Sequence, residues 1–269
     1  MMTRLKFKVL TDIGQKRALN EDSYVAVIPS HIPDFPVDGV FLVADGMGGH
    51  SSGEVASKAV ADYFQYLFDG KYKNFAQKHG LATIEELLEK VIKDINLSLY
   101  NIVMEDEHEK DEEKGTMGTT LTAGIISYNK LYSAQVGDSR LYLIRENKIT
   151  QLTKDQTLVN EQLNQGIITK AEAEKSTYKN ILSQAIGPNE TVNPDIQCHE
   201  LQNEDILVFC TDGLYRHLSL NDIFEMTDPQ DIDNSCKDMI ELANDRGGKD
   251  NITVIVVKVI IPSPIIGEG

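Results

Sequence analysis

The sequence is poor in cations, and it lacks paired cysteines, long apolar runs and internal repeats. Its 269 residues hold 26 Lys+Arg against 42 Asp+Glu, a formal net charge of −16. Nucleic-acid binding relies on clustered cations that neutralise phosphates, and no window here is rich enough in Lys and Arg to form such a patch, so no nucleic-acid partner is expected. The three cysteines, Cys198, Cys210 and Cys236, are odd in number, with no C-x-x-C spacing and no His at zinc-finger distance. That pattern fits reduced thiols, and a cytoplasmic location is expected. The opening MMTRLKFKVLTD has no apolar stretch of the kind a secretory leader needs. The longest apolar run, Ile252 to Ile261, is interrupted by Lys258 and is far short of the ~20 residues of a spanning helix, so no membrane partner is expected. Its β-branched composition reads as a buried strand.

With 41% hydrophobic and 25% charged residues, the chain has the composition of a soluble globular protein. No Pro/Ser/Gly linker or composition shift divides it, and one domain over residues 1–269 is expected. The single biased segment, Glu105 to Lys114, carries seven acids against two lysines and reads as a solvated loop or frayed helix end.

Helical periodicity marks two segments. Val55, Ala59, Tyr63 and Leu67 recur at i+4, widened by Ala56, Val60 and Phe64; a second stripe runs through Ile84, Leu87, Leu88, Val91, Ile92, Ile95, Leu99 and Ile102. Further helices are expected at Ser219 to Met226, where Asp222 follows Ser219 by three, and at Asp231 to Asp245, ahead of Gly247-Gly248. Strands are expected at Lys6 to Thr11, Asp22 to Ile28, Gly39 to Ala44, Thr119 to Ser127, Leu131 to Val136, Arg140 to Arg145, Asp205 to Cys210 and Ile252 to Ile260. Turns such as Tyr128-Asn129-Lys130 and Gly137-Asp138-Ser139 are too short for a crossover helix, so the strands they join must pair antiparallel. The pattern gives an α+β protein with helices covering an antiparallel core.

Acidic residues sit at strand ends, where a rigid scaffold can present them. Glu21-Asp22 opens one strand, Asp45 follows FLVA, Asp212 follows ILVFCT, and Asp250 precedes NITVIVV. Singly, each could be a turn former or helix cap. Converging carboxylates repel one another, and a bound divalent cation resolves the repulsion; oxygen ligands select Mg²⁺ or Mn²⁺, with Ca²⁺ possible on the same chemistry.

In order, GQKRALNEDS (Gly14 to Ser23), VADGMGGH (Val43 to His50), MGTT (Met117 to Thr120), VGDSR (Val136 to Arg140), QLTKDQT (Gln151 to Thr157), CTDGL (Cys210 to Leu214) and GGKDNITVI (Gly247 to Ile255) resemble the motifs of the metal-dependent protein serine/threonine phosphatases of the protein phosphatase 2C type. The DGMGGH form resembles the bacterial branch. The resemblance spans about Lys8 to Val259 and implies a four-layer α-β-β-α sandwich of two antiparallel sheets. It further implies two Mn²⁺ or Mg²⁺ ions and a water bridging them that attacks phosphorus, with phosphorylated proteins as substrates and a cognate Ser/Thr kinase as counterpart. By the same resemblance Asp45 bridges both ions, Gly46 ligates one through its carbonyl, Asp212 and Asp250 hold the second, Glu21 and Asp22 orient water on the ions, and Arg17 clamps the substrate phosphate. A glycine at position 46 would let the backbone approach the ion and turn after the strand. Arginine suits a phosphate clamp because its guanidinium is a bidentate fork.

Two positions depart from the family pattern. Met47 stands where animal-type members carry a His assigned as general acid, leaving water or His50 as proton donor. Gly115-Thr116 stands where bacterial members often have an acid for a third ion, so that ion is left open. The polar helical stretch from Asp155 to Gly187 occupies the place of the family's flap beside the active site.

Three rival readings share the sequence. Cys210 to Arg216 is C-x5-R, the spacing of cysteine-dependent phosphatases, but Asp212 would place a carboxylate inside the anion cradle and raise the thiol pKa. Gly49 to Gly53 is formally G-x-S-x-G, yet Asp45 to Gly48 separate it from its strand, unlike a nucleophile elbow. The alternative from another class is a catalytically silent, phosphatase-like module that binds phosphoproteins; against it, all five ligand and clamp positions are intact.

Overall fold

The computed structural model describes residues 3–30, 35–48, 52–107 and 117–262. Along the chain run β1 (Arg4–Asp12), β2 (Asp22–Val27), β3 (Gly39–Met47), α1 (Ser52–Phe68), α2 (Tyr72–His79), α3 (Ile84–Glu107), β4 (Gly118–Thr119), β5 (Leu121–Ser127), β6 (Lys130–Val136), β7 (Arg140–Arg145) and β8 (Lys148–Gln151). They are followed by α4 (Leu158–Asn164), α5 (Lys170–Lys175), β9 (Asp195–Glu200), β10 (Ile206–Cys210), α6 (Asp212–Tyr215), α7 (Leu220–Met226), α8 (Ile232–Asp245) and β11 (Ile252–Ile260). The strands form two sheets, one in the order β1-β11-β10-β7-β8 and one in the order β2-β3-β5-β6-β9 with β4 paired to β3. All of these strand pairs are antiparallel.

Period-2 alternation builds the layers, because successive side chains of a strand point to opposite faces. In β3, Val40, Leu42 and Ala44 join the helical layer of α1 and α3, while Phe41 and Val43 face the other sheet. In β10 and β11, Val208, Cys210, Val254 and Val256 pack toward α8, while Leu207, Phe209, Ile255 and Val257 face inward. The inter-sheet core is centred on Phe41, whose ring lies 5.4 Å from Phe7 edge-to-face and 6.1 Å from Phe209. The result is the expected α+β sandwich, two antiparallel sheets between layers of helix.

The expected helices and strands are present, with shifts of physical interest. The buried face of α1 is Ala56, Val60, Phe64 and Leu67 with Ala61 and Phe68, whereas Val55 is exposed. The i+4 series starting at Val55 therefore begins on the exposed flank and reaches the core at Leu67, since at 3.6 residues per turn a strict four-residue step rotates around the helix. On α3, Val103 is buried where Ile102 was expected and Ile102 is exposed, for the same reason. Ser219 and Asp222 form a reciprocal capping box on α7. The missed strand β8 closes a hairpin with β7 across Glu146 and Asn147, both at positive φ. Residues 108–114 of the acidic segment, Gly115-Thr116 and His50 lie outside the described residues.

Candidate active site

The acids gather where the two sheets meet at one end. Asp22 and Asp45 are opposite one another in the β2–β3 register. Asp212 is the first residue of α6, immediately after β10, and Asp250 lies just before β11, which neighbours β10. Asp45 thus comes from one sheet, and Asp212 and Asp250 from the other.

Backbone and side-chain contacts fix each position. The Asp45 amide donates to Thr120 Oγ1 at 2.9 Å, and the Asp45 carbonyl accepts from the Thr120 amide and the Thr119 hydroxyl, both at 2.9 Å. This gives the MGTT stretch a purpose as the clasp of the β3 end. A Cβ on Gly46 would lie 2.2 Å from the Gly53 carbonyl oxygen and 2.6 Å from that of Glu21. Gly46 lies within β3 and has no positive φ; it is required by the close approach of α1, and the turn expected there comes at Gly48, with φ +143. Asn251 holds the loop that carries Arg17. Its amide donates to the carbonyls of Ile13 (3.0 Å) and Leu19 (2.9 Å), and its Oδ1 accepts from the Glu21 amide (2.8 Å). Gly14, at φ +78, lets that loop close on the Asp250 carbonyl, since a Cβ there would sit 2.2 Å away.

Arg17 reaches Asp250 at 2.8 Å and Glu21 at 3.7 Å. Glu21 also accepts from the Gly53 amide, and burial raises its pKa. Asp22 is fully buried, its Oδ2 accepting from the hydroxyls of Thr211 (2.8 Å) and Thr253 (2.7 Å), while its Oδ1 has no partner. Arg216 pairs with Asp212 at 2.5 Å and approaches Asp138 at 3.7 Å.

Asp138, which the sequence analysis left without a role, is a further acid of this cluster. It is buried, takes the Tyr215 hydroxyl's hydrogen bond at 3.0 Å and feels the charge of Arg216. Its position in a tight turn between two largely apolar strands is the available signal. Tyr215 in turn is overlaid by the Arg140 guanidinium, 3.6 Å from its ring centroid, and Arg140 is tied to Asp155 at 2.6 Å.

The electrostatics are those of crowded anions. Burial pushes Asp45 well above the usual carboxylate range, and the charges of Asp212, Asp22, Asp138 and Asp250 push it further. Asp22 is raised to about 7 and Asp212 to about 6, in each case chiefly by burial; the charge of Arg216 moderates Asp212. Among the described residues, no group of three or more His, Cys, Asp or Glu is arranged to hold a metal ion with the side chains as they stand. Two of the acids are turned to guanidinium partners, Asp212 to Arg216 and Asp250 to Arg17.

The cysteine rival loses its chemistry here. Cys210 is fully buried, burial pushes its thiol up to about 12, and Arg216 is engaged by Asp212. Such a thiol is not a nucleophile at neutral pH.

An antiparallel sandwich presenting a cluster of buried carboxylates beside an arginine defines a hydrolase scaffold suited to phosphate esters. The chain matches the protein phosphatase 2C family over residues 15–255. It is 34% identical over 259 residues to protein phosphatase PhpP of Streptococcus pneumoniae, covering 94% of this chain and 97% of that protein. The solved structure of serine/threonine phosphatase Stp1 from Staphylococcus aureus superposes with a TM-score of 0.80 at 30% identity, covering 98% of this chain and 97% of that one. The catalytic domain of serine/threonine protein phosphatase PstP, solved in complex with two manganese ions, gives 0.78 at 32% identity, covering 97% and 100%. The chain belongs to the protein phosphatase 2C family, in its bacterial branch, and is a protein serine/threonine phosphatase.

Proposed function

We propose that the chain hydrolyses phosphoserine and phosphothreonine in proteins with two divalent ions, Mn²⁺ or Mg²⁺, held by Asp45, the Gly46 carbonyl, Asp212 and Asp250. The observation that carries the reading is the meeting of Asp45 from one sheet with Asp212 and Asp250 from the other, beside Arg17. The residues fit such ions. Asp212 Oδ1 is buried without a hydrogen-bond partner, the donors are all oxygen, and the mutual repulsion that raises the Asp45 and Asp212 pKa values is what a cation relieves. The manganese-bound relative supports a pair of ions.

Ions held by these residues would supply Lewis-acid chemistry, bringing the pKa of water from 15.7 toward about 7 so that it could attack phosphorus at neutral pH. The protein's own groups supply the rest. Arg17 exchanges its contact with Asp250 for the substrate phosphate, where its fork bonds two oxygens. Glu21 and Asp22 accept hydrogen bonds from water at the site and so fix its orientation. Met47 has no proton to give, so the leaving oxygen is protonated by water. Arg216 lies within 4.0 Å of both Asp138 and Asp212 and supplies positive charge there.

The whole chain acts as one catalytic unit, with residues 155–187 as its flap. No described helix is long and apolar enough to cross a membrane, and the three cysteines are free. The free cysteines suit a reducing compartment, and we place the chain's action in the cytoplasm, on proteins phosphorylated by a cognate Ser/Thr kinase.

The test is hydrolysis of a phosphothreonine peptide with Mn²⁺, before and after chelation. Activity should vanish with EDTA and return with metal. Asp45→Asn and Asp212→Asn should each lose more than the roughly 100-fold that even indirect partners of metal ligands can command, whereas Cys210→Ser keeps its rate. Equal rates in all three variants, or turnover indifferent to EDTA, would overturn the reading.

A further inference from the structure

The acid cluster opens into a cleft of about 740 Å³ whose lining runs from Asp138 and Asp250 to the helices of the 155–187 insertion. That volume is far larger than a phosphate and falls within the ~300–1,000 Å³ of ordinary ligand sites. Its charge runs against the rest of a chain whose acids outnumber its bases by 16. Each carboxylate of the lining already faces a guanidinium: Asp155 meets Arg140 at 2.6 Å, Asp138 meets Arg216 at 3.7 Å, and Asp250 meets Arg17 at 2.8 Å. Arg246, also in the lining, is spent on Asp222 at 2.7 Å. Lys170 and Lys179 on the insertion, and Lys249 just ahead of β11, line the same cleft. All three are exposed, and among the described residues none has a carboxylate within 4.0 Å.

We propose that this cleft receives the chain flanking the phosphorylated residue and selects flanks that carry a second anion, with Lys170, Lys179 and Lys249 as the specificity-determining residues. The inference rests on the phosphatase reading and names the substrate class of that site. Unpaired cations lining a concave site attract an anionic segment strongly, because the low-dielectric walls concentrate the field. Arg140 stacks on the Tyr215 ring at 3.6 Å and bonds Asp155 at 2.6 Å, so the first residue of the insertion is tied to α6 in the cleft lining. A carboxylate side chain and a second phosphate share the required chemistry.

The experiment measures kcat/KM with Mn²⁺ on phosphothreonine peptides that differ only in the flank. The flanks are alanine, glutamate, lysine, or a non-hydrolysable phosphonate analogue of phosphothreonine, placed two to three residues to either side. The wild type should rank phosphonate and glutamate above alanine and alanine above lysine, over a span of about tenfold at low salt. In Lys170→Ala/Lys179→Ala/Lys249→Ala, with folding checked by its melting transition, the ranking should collapse to within about twofold, and the corresponding Glu variants should invert it. A gain from the phosphonate alone identifies a second phosphate as the recognised anion; equal gains identify any anion. A wild type that treats all flanks alike, or a triple variant that keeps the full ranking, overturns the proposal while leaving the phosphatase reading intact. Failure to hydrolyse any peptide or p-nitrophenyl phosphate would instead remove the phosphatase reading, and this inference with it.

Discussion

Single residues show why some of the site was legible and some was not. Asp45, Asp212 and Asp250 stand out because each is an acid at the border of an apolar strand, a position visible in one dimension. Asp138 is buried and charge-coupled to the same cluster, but its turn, Gly137-Asp138-Ser139, looks like any hairpin connection. Asn251 was quoted within a motif, yet its three hydrogen bonds reach Ile13, Leu19 and Glu21, more than 200 positions away, and no spacing rule reports that. The cysteines yield a prediction at this scale. Burial raises the thiols of Cys210 and Cys236 to about 12, so at pH 8 only about one part in ten thousand of either is thiolate, while Cys198 is exposed. Raising a thiol pKa disfavours the reactive form throughout the neutral range. Alkylation of the native protein at pH 8, read by peptide mass mapping, should therefore mark Cys198 alone, and denaturant should expose all three. Rapid native labelling of Cys210 would restore the cysteine chemistry rejected above.

Secondary-structure elements were legible where one face is buried and one exposed, and illegible where tertiary contacts define them. α3 declares itself by its apolar stripe, yet its most consequential side chain is polar. Asn96 is buried; its amide donates to the carbonyls of Asn189 (2.9 Å) and Glu190 (3.0 Å), and its Oδ1 accepts from the Gly187 amide at 2.9 Å. It thereby anchors the C-terminal root of the 155–187 insertion, where Ile186 bridges to Thr119 beside the Asp45 clasp. The short helices α4 and α5 carry no strong periodicity, and their boundaries come from Thr157 and Thr169, which cap them. Replacing Asn96 by leucine roughly keeps the volume but leaves the buried Gly187 amide and the carbonyls of Asn189 and Glu190 without their partner. The loss of stability should be roughly 1–3 kcal/mol, seen in urea unfolding. Asn96→Leu should also weaken turnover, because the root it holds adjoins β4 and the Asp45 carbonyl. A variant as stable and as active as the wild type would show that the insertion is positioned by other contacts.

At the scale of the molecule, the candidate ligands divide between the sheets: Asp45 belongs to the β2–β3 side, and Asp212 and Asp250 to the β10–β11 side. The inter-sheet core around Phe41 and Phe209 is entirely apolar contact, which is non-directional, so the end of the sandwich is where charge decides the fit between layers. Metal-free, that end concentrates Asp22, Asp45, Asp138 and Asp212, three of them with pKa values lifted first by burial and then by one another. Asp138 is likewise lifted by burial. A divalent ion shared between Asp45 and Asp212 would link the two sheets and remove the repulsion at once. Because such an ion binds only the folded arrangement, it should stabilise the protein by mass action, about 2.7 kcal/mol at a hundredfold excess over its Kd. For a chain of this size that is a rise of roughly 5–10 °C in Tm. Calorimetry with and without Mn²⁺ reads this independently of activity. Asp212→Asn should flatten the metal dependence and, by removing one buried charge, raise the metal-free Tm above that of the wild type; a metal-induced shift that survives the substitution would place the ions elsewhere than between the sheets.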